Sequence, residues 1–140
     1  MPSSLGKLGE DYAAAYLDQL GYRLVAANFT LPVGRNLRGA VVRAEIDLVA
    51  YDGDTLCFIE VKTRASDWFA PPQVNVDLRK RRQITRAARV YRQVLGIEDE
   101  PHRYDVVTVV IGEAATPQIE LLRNFWTTDK HGMKSGFSSV

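Results

Sequence analysis

The chain has 140 residues, 46% of them hydrophobic and 25% charged, with a formal net charge of +1; that is enough apolar material for one domain with its own core. The near-neutral total excludes a chain that is polybasic throughout, and the lone Cys57 excludes an internal disulfide or a cysteine-built zinc site. No stretch approaches the length of a membrane span and residues 1–7 hold no apolar leader run, so a cytoplasmic protein without membrane association is expected.

Ser3 or Ser4 predicts the cap of a first helix ending near Leu20, with Gly21 as its stop. Leu5, Leu8, Tyr12, Tyr16 and Leu20 recur at helical spacing and predict its buried stripe, with Glu10 on the flank beside Ala13, Ala14 and Leu17. A strand is expected over 22–29. Residues 31–43 hold Pro32, Gly34, Asn36 and Gly39 and read as a loop or an irregular hairpin arm. Arg35, Arg38 and Arg43 lie on that arm, where they bring positive charge to a site rim. Residues 44–62 are two apolar runs around Asp52-Gly53, a strong hairpin signal. With Asp52 and Gly53 as the turn, Tyr51 faces Asp54, Glu45 faces Glu60, and Asp47 faces Phe58.

Residues 65–72 break the pattern, and Trp68 and Phe69 there either pin the loop to the core or stack on unpaired bases. Asp77 predicts the cap of a second helix that ends at Leu95 before Gly96. Its expected buried stripe is Ile84, Ala87, Ala88, Tyr91, Val94 and Leu95. Residues 104–111 are β-branched and read as a buried strand, with Asp105 as a turn or cap residue at its start. A last strand is expected over 118–126. Residues 127–140 read as a mobile tail, leaving 1–126 as a single domain. The order of elements predicts an α/β three-layer sandwich, a mixed central sheet between helices.

The hairpin carries the chemistry. Strict alternation places Glu45, Asp47, Glu60 and Lys62 on one face with Val49, Tyr51, Leu56 and Phe58. Three carboxylates and an ammonium thus gather at one end of an element that is apolar on both sides. Like charges across strands destabilise a sheet and disfavour each other's ionisation, and a divalent cation removes both penalties. Asp47 and Glu60, diagonal neighbours roughly 7–8 Å apart at the backbone, suit one shared Mg²⁺. Lys62 is placed to orient a water or offset charge on a phosphate. Residues 62–92 hold nine Lys/Arg against Asp67 and Asp77, an asymmetry that suits a nucleic-acid face or, more blandly, a solvated helix. Lys80, one turn before Ile84, points inward; Arg79, Arg82, Arg86 and Arg89 form the outer stripe and suit phosphates. Cys57 reads as a buried structural thiol.

Asp47, Glu60 and Lys62 stand in Asp-x12-Glu-x-Lys order. Around them lie Gly9-Glu10-Asp11-Tyr12-Ala13, Glu45-Ile46-Asp47-Leu48-Val49-Ala50, Phe58-Ile59-Glu60-Val61-Lys62-Thr63-Arg64 and Tyr104-Asp105-Val106-Val107. Over about residues 5–126 the chain resembles the YraN-like family of the PD-(D/E)XK nuclease superfamily, with its restriction-endonuclease-like fold. The resemblance implies a Mg²⁺-dependent nuclease (Mn²⁺ as substitute) that hydrolyses phosphodiester bonds in DNA, structure-selective for flaps or junctions. It implies Asp47, Glu60 and the Val61 carbonyl as metal ligands, Lys62 positioning the attacking water, and Glu10 and Glu45 as auxiliary acids. Lys80, Arg64, Arg79, Arg82 and Arg86 would hold nucleic acid, Gln83 would be a polar site residue, and junction substrates would suit a homodimer. Glu10 has a second reading as a first-turn acid favoured by the helix dipole. Two alternatives stand beside the nuclease: a nucleic-acid-binding or assembly module that keeps the fold without efficient catalysis, and a structural charge cluster pairing Glu45 and Glu60 with Lys62 and Arg43. The chain departs from the family at Ala44, where Gly is usual, at Ile46 in place of the Pro of the superfamily's motif, and in the longer segment 30–43.

Overall fold

The computed structural model describes residues 4–65, 75–113, 116–129 and 132–134, so the readings of Trp68 and Phe69 lie outside the described residues. In chain order the elements are α1 (Ser4–Gln19), β1 (Arg23–Arg35), β2 (Val41–Asp52), β3 (Thr55–Ala65), α2 (Leu78–Leu95), β4 (His102–Ile111), β5 (Gln118–Asp129) and β6 (Gly132–Lys134). The strands lie side by side in chain order. β3 and β4 run parallel, and every other neighbouring pair is antiparallel. A parallel pair needs a crossover rather than a tight turn, and α2 supplies it. α2 packs on β1 and β2, while α1 packs on β3 and β4. The architecture is the expected three-layer, restriction-endonuclease-like α/β sandwich.

Two apolar clusters sit either side of the sheet. On one side Ile84 of α2 packs with Leu31, Ile46, Val49, Phe58 and Trp126. On the other, Ala13 and Leu17 of α1 pack with Leu48, Cys57, Ile59 and Val107. Cys57 is buried as expected, and burial pushes its thiol up to about 12, which removes it as a nucleophile near neutral pH.

Local capping chemistry places α2 where it was predicted. The Asp77 side chain accepts the Lys80 N–H at 2.8 Å, and Gly96 takes the left-handed C-terminal conformation. Its stripe is shorter than expected: Ile84, Thr85, Ala87 and Ala88 are buried, but Val94 and Leu95 are 76% and 55% exposed.

Three expectations are corrected. On α1 the buried residues are Gly9, Ala13 and Leu17, whereas Leu8 and Leu20 are 42% and 47% exposed. A β-carbon on Gly9 would sit 1.8 Å from Thr63 Oγ1, so helix and strand approach too closely for a leucine stripe. Of the two readings of 31–43, the structure takes the irregular hairpin arm: β1 and β2 extend as a pair from Phe29↔Ile46 to Arg35↔Val41, with a register shift between Pro32 and Gly34. The β2–β3 turn is centred one residue later than predicted, with Asp52 opposite Thr55 and Leu48 opposite Ile59. Gly53 therefore occupies the first central position with φ 61°, where a II′ turn requires a glycine. Finally, residues 127–134 are not all tail: Thr127 pairs with Lys134 across β5 and β6.

Candidate active site

The β2–β3 ladder ends at Leu48↔Ile59. One residue beyond it, Asp47 turns its carboxylate across the opening and accepts the Val61 N–H on Oδ2 at 2.8 Å. An extended residue directs its N–H and C=O to the same edge, so the Val61 carbonyl faces this opening too. On the other side of β2, the pairs Ala27↔Leu48 and Phe29↔Ile46 place Asn28 across from Asp47. Asn28 has φ 51°, a left-handed conformation that Asn tolerates better than most residues.

This kink inverts the strand's alternation. Ala44 and Ile46 pack with the α2 cluster, but Leu48 and Ala50 pack with the α1 cluster. Glu45 and Asp47 therefore share the α1 side, and the expectation that they share a face with Val49 and Phe58 is wrong. The consequence is chemical. Glu10, one residue past the close contact of Gly9 with Thr63, meets Glu45 and Asp47, and oxygens of all three carboxylates lie within 4.8 Å of one another. Glu10 is the seventh residue of α1 and not in its first turn, so the helix-dipole reading of Glu10 falls.

Glu60 approaches from β3. It is only 5% exposed, and among the described residues its Oε1 has no hydrogen-bond partner. Burial raises its affinity for a proton, and the charges of Lys80 on α2 and of Lys62 work against that shift. Asp47 is pushed up to about 7, by burial first and the neighbouring Glu60 charge second, with the Val61 N–H opposing. Glu10 is also raised, by burial and then by Asp47, while a hydrogen bond from Asn28 opposes the rise. Acids held in one place against their own repulsion make this a candidate cation site. A cleft of about 390 Å³ opens here, lined by Glu10, Glu60, Lys62, Arg64 and Thr108 among others.

The sequence-predicted residues divide clearly. Glu10, Glu45, Asp47, Glu60 and Val61 meet at the end of the β2–β3 ladder, and Lys62 lines the same cleft. Lys80 is half-buried and close enough to Glu60 for its charge to act there, while Gln83 is half-buried on the same helix. Arg79, Arg82 and Arg89 are exposed. Arg86 is exposed as well, and its Nη2 donates to the Val33 carbonyl of β1, so part of its guanidinium braces the arm. Arg43 pairs with Pro32 of β1, and the β2–β3 ladder ends at Leu48, short of it.

Sequence reasoning missed two sets of residues. Asn28 was visible as an Asn inside a strand pattern, a signal for a left-handed kink. Asp105 is a node of the fold rather than a cap residue. It is fully buried, ion-paired to Arg103 at 2.9 Å, and accepts from the Asn124 N–H and the Tyr22 hydroxyl.

Comparison with known proteins matches residues 9–109 to uncharacterised protein family UPF0102. A UPF0102 protein of Solibacter usitatus is 42% identical over 122 residues, covering 87% of this chain and 85% of the relative. A UPF0102 protein of Geobacter sulfurreducens is 42% identical over 120 residues, 86% of each chain. The chain belongs to the UPF0102, or YraN, family. Another UPF0102 member, from Symbiobacterium thermophilum, is 37% identical over 124 residues and is matched along 97% of its length. The matched span takes in Glu10, Glu45, Asp47, Glu60 and Lys62, so the acidic site lies within the UPF0102 region of the chain. Among the described residues no helix is long and apolar enough to cross a membrane.

Proposed function

We propose that this UPF0102 member is a divalent-metal-dependent nuclease that hydrolyses phosphodiester bonds in DNA. The observation that carries the reading is the buried Glu60 Oε1, unpartnered among the described residues, close to Asp47 of the Glu10, Glu45 and Asp47 carboxylate group. The donor set suits Mg²⁺, or Mn²⁺ in its place, because it is all oxygen. Asp47, Glu60 and the Val61 carbonyl would hold the ion. Once bound, such an ion supplies positive charge that polarises a phosphate and eases ionisation of a water.

The chain's own residues do the rest. Asp47 is held by the Val61 N–H, so its second oxygen keeps a set direction. Glu10 and Glu45 add negative charge on the α1 side and are placed to accept a proton from water. Lys62, one residue past Val61 and lining the cleft, offsets charge on the phosphate or orients the attacking water. The Lys80 charge opposes the rise that burial imposes on Glu60. The exposed Arg79, Arg82 and Arg89 of α2 hold the phosphate backbone without reading sequence.

The test is cleavage of labelled single strand, duplex, flap, fork and four-way junction, with Mg²⁺, with Mn²⁺ and with EDTA. Cleavage that needs metal and disappears in Glu60→Ala supports the nuclease. Binding without cleavage, unchanged in Glu60→Ala, replaces it with a nucleic-acid-binding module.

A further inference from the structure

The arm built by residues 30–43 takes no part in the chemistry above. It holds the most exposed large apolar side chain among the described residues, Leu37, at 107%. A single exposed leucine needs no explanation by itself; its setting does. The tip is locked by hydrogen bonds. Asn36 N–H donates to the Ala40 carbonyl and Gly39 N–H to the Asn36 carbonyl, each at 3.0 Å. Asn36 Oδ1 accepts from Arg38 N–H at 2.9 Å and from Ala40 N–H at 3.0 Å. Arg35 Nη1 donates to the Gly39 carbonyl at 2.6 Å. The root is anchored as well: Leu31 is buried in the α2-side core, and Arg86 of α2 grips the Val33 carbonyl. The fold therefore holds Leu37 rigidly out into solvent.

The surroundings indicate the occupant. Residues 30–43 contain Arg35, Arg38 and Arg43 and no acid. Pro32 and the register shift between Pro32 and Gly34 interrupt the arm's outer edge, which is how natural edges refuse a further strand. Pairing with a second copy is thus disfavoured. A polyanion with an apolar face, a stack of base pairs, fits an apolar point fenced by arginines.

We propose that the arm is a duplex wedge: its arginines hold phosphates while Leu37 stacks on the base pair exposed at a branch or strand end. This rests on the nuclease reading and adds substrate choice to it. It also sets a distance. Seven residues separate Leu37 from Thr30, which pairs with Glu45 of the site. The strand ends at Arg35, so a rise of about 3.3 Å per residue sets an upper bound of roughly 23 Å, or about seven nucleotide steps at ~3.4 Å. Cleavage falls within about seven nucleotides of the branch.

The experiment compares wild type, Leu37→Ala and Arg35→Ala/Arg38→Ala on a fork and on a continuous duplex of the same sequence. It reads cleavage rates in Mg²⁺ and, separately, the fluorescence of 2-aminopurine at the branch with EDTA present. A thermal melt confirms that Leu37→Ala, at an exposed tip, folds as wild type. The wedge predicts that Leu37→Ala loses about five- to tenfold of the fork-over-duplex preference and the 2-aminopurine rise, with duplex cleavage kept. A 2-aminopurine rise abolished by Leu37→Ala, in a protein that cleaves nothing, supports the wedge and overturns the nuclease. Selective cleavage untouched by Leu37→Ala overturns the wedge and leaves the nuclease standing. Failure of the wild type to bind the fork, or self-association abolished by Leu37→Ala with DNA responses unchanged, overturns the wedge.

Discussion

Asp47 and Glu60 make the folded chain sensitive to pH in a direction that can be worked out. Asp47 rises from an ordinary 3.8 to about 7, and Glu60 rises as well. A raised acid keeps its proton in the folded state at pH values where the unfolded chain has lost it. Its contribution is full below the unfolded value and is lost as pH climbs through the folded one. Without metal, the wild type should therefore lose stability between about pH 4 and pH 7, on the order of 4 kcal/mol. Asp47→Asn should flatten that loss and melt higher than wild type at pH 8 in EDTA, and Mg²⁺ should raise the wild-type Tm at pH 8 but not the variant's. Thermal melts of both proteins across pH check this; an Asp47→Asn protein that melts lower at pH 8 contradicts it. Glu60→Ala should reduce metal-dependent cleavage by at least ~100-fold, whereas Glu10→Gln should leave a measurable fraction. Asp105 behaves differently. Asp105→Ala leaves Arg103, whose side chain is only 19% exposed, without its buried partner. A cost of about 3–5 kcal/mol in denaturant unfolding is expected. The motif acids were legible because their residue types have no apolar explanation. Asn28 and Asp105 were not, because each matters through a partner distant in sequence.

Among the elements, those bounded by local chemistry were read well. Asp77 and Gly96 delimit α2 through hydrogen bonds to their own neighbours, so no tertiary information is needed. The hairpin's existence was equally plain, but its turn was displaced by one residue. That displacement moves each partner by two residues and so preserves faces; the face of Asp47 was misjudged because of the kink at Asn28 instead. The α1 stripe failed for another reason: hydropathy ranks leucine above glycine, while a helix lying against Thr63 needs the smaller residue. Gly9→Ala tests this directly. Its β-carbon would meet Thr63 Oγ1 at 1.8 Å, so α1 must shift, with an expected cost of about 1–3 kcal/mol. Because Glu10 is the next residue, cleavage should fall further than the Tm loss accounts for at a temperature where the variant is still folded. Unchanged kcat in a destabilised variant would show that Glu10 is not held by this contact.

The whole molecule separates its charges. The acidic opening lies where β2 and β3 part, and α2 presents Arg79, Arg82 and Arg89 to solvent. DNA binding should therefore weaken steeply with salt. Arg79→Ala and Arg82→Ala should each reduce the slope of log K against log salt by about one, with equal effects on unrelated sequences. A salt titration by fluorescence anisotropy measures it, and an unchanged slope would remove α2 from the interface. The sequence by itself determined most element types, the α/β class, the caps of α2 and the acids to look for, because periodicity, capping and charge are properties of neighbours along the chain. Only the tertiary structure decided that Glu10 meets Asp47, that the Lys80 charge acts on Glu60, that Asp105 is a buried node, and that residues 30–43 form a paired arm and not a loop. Each of these depends on where strands kink, slip register or part company, and that balance is struck between packed elements rather than within any one of them.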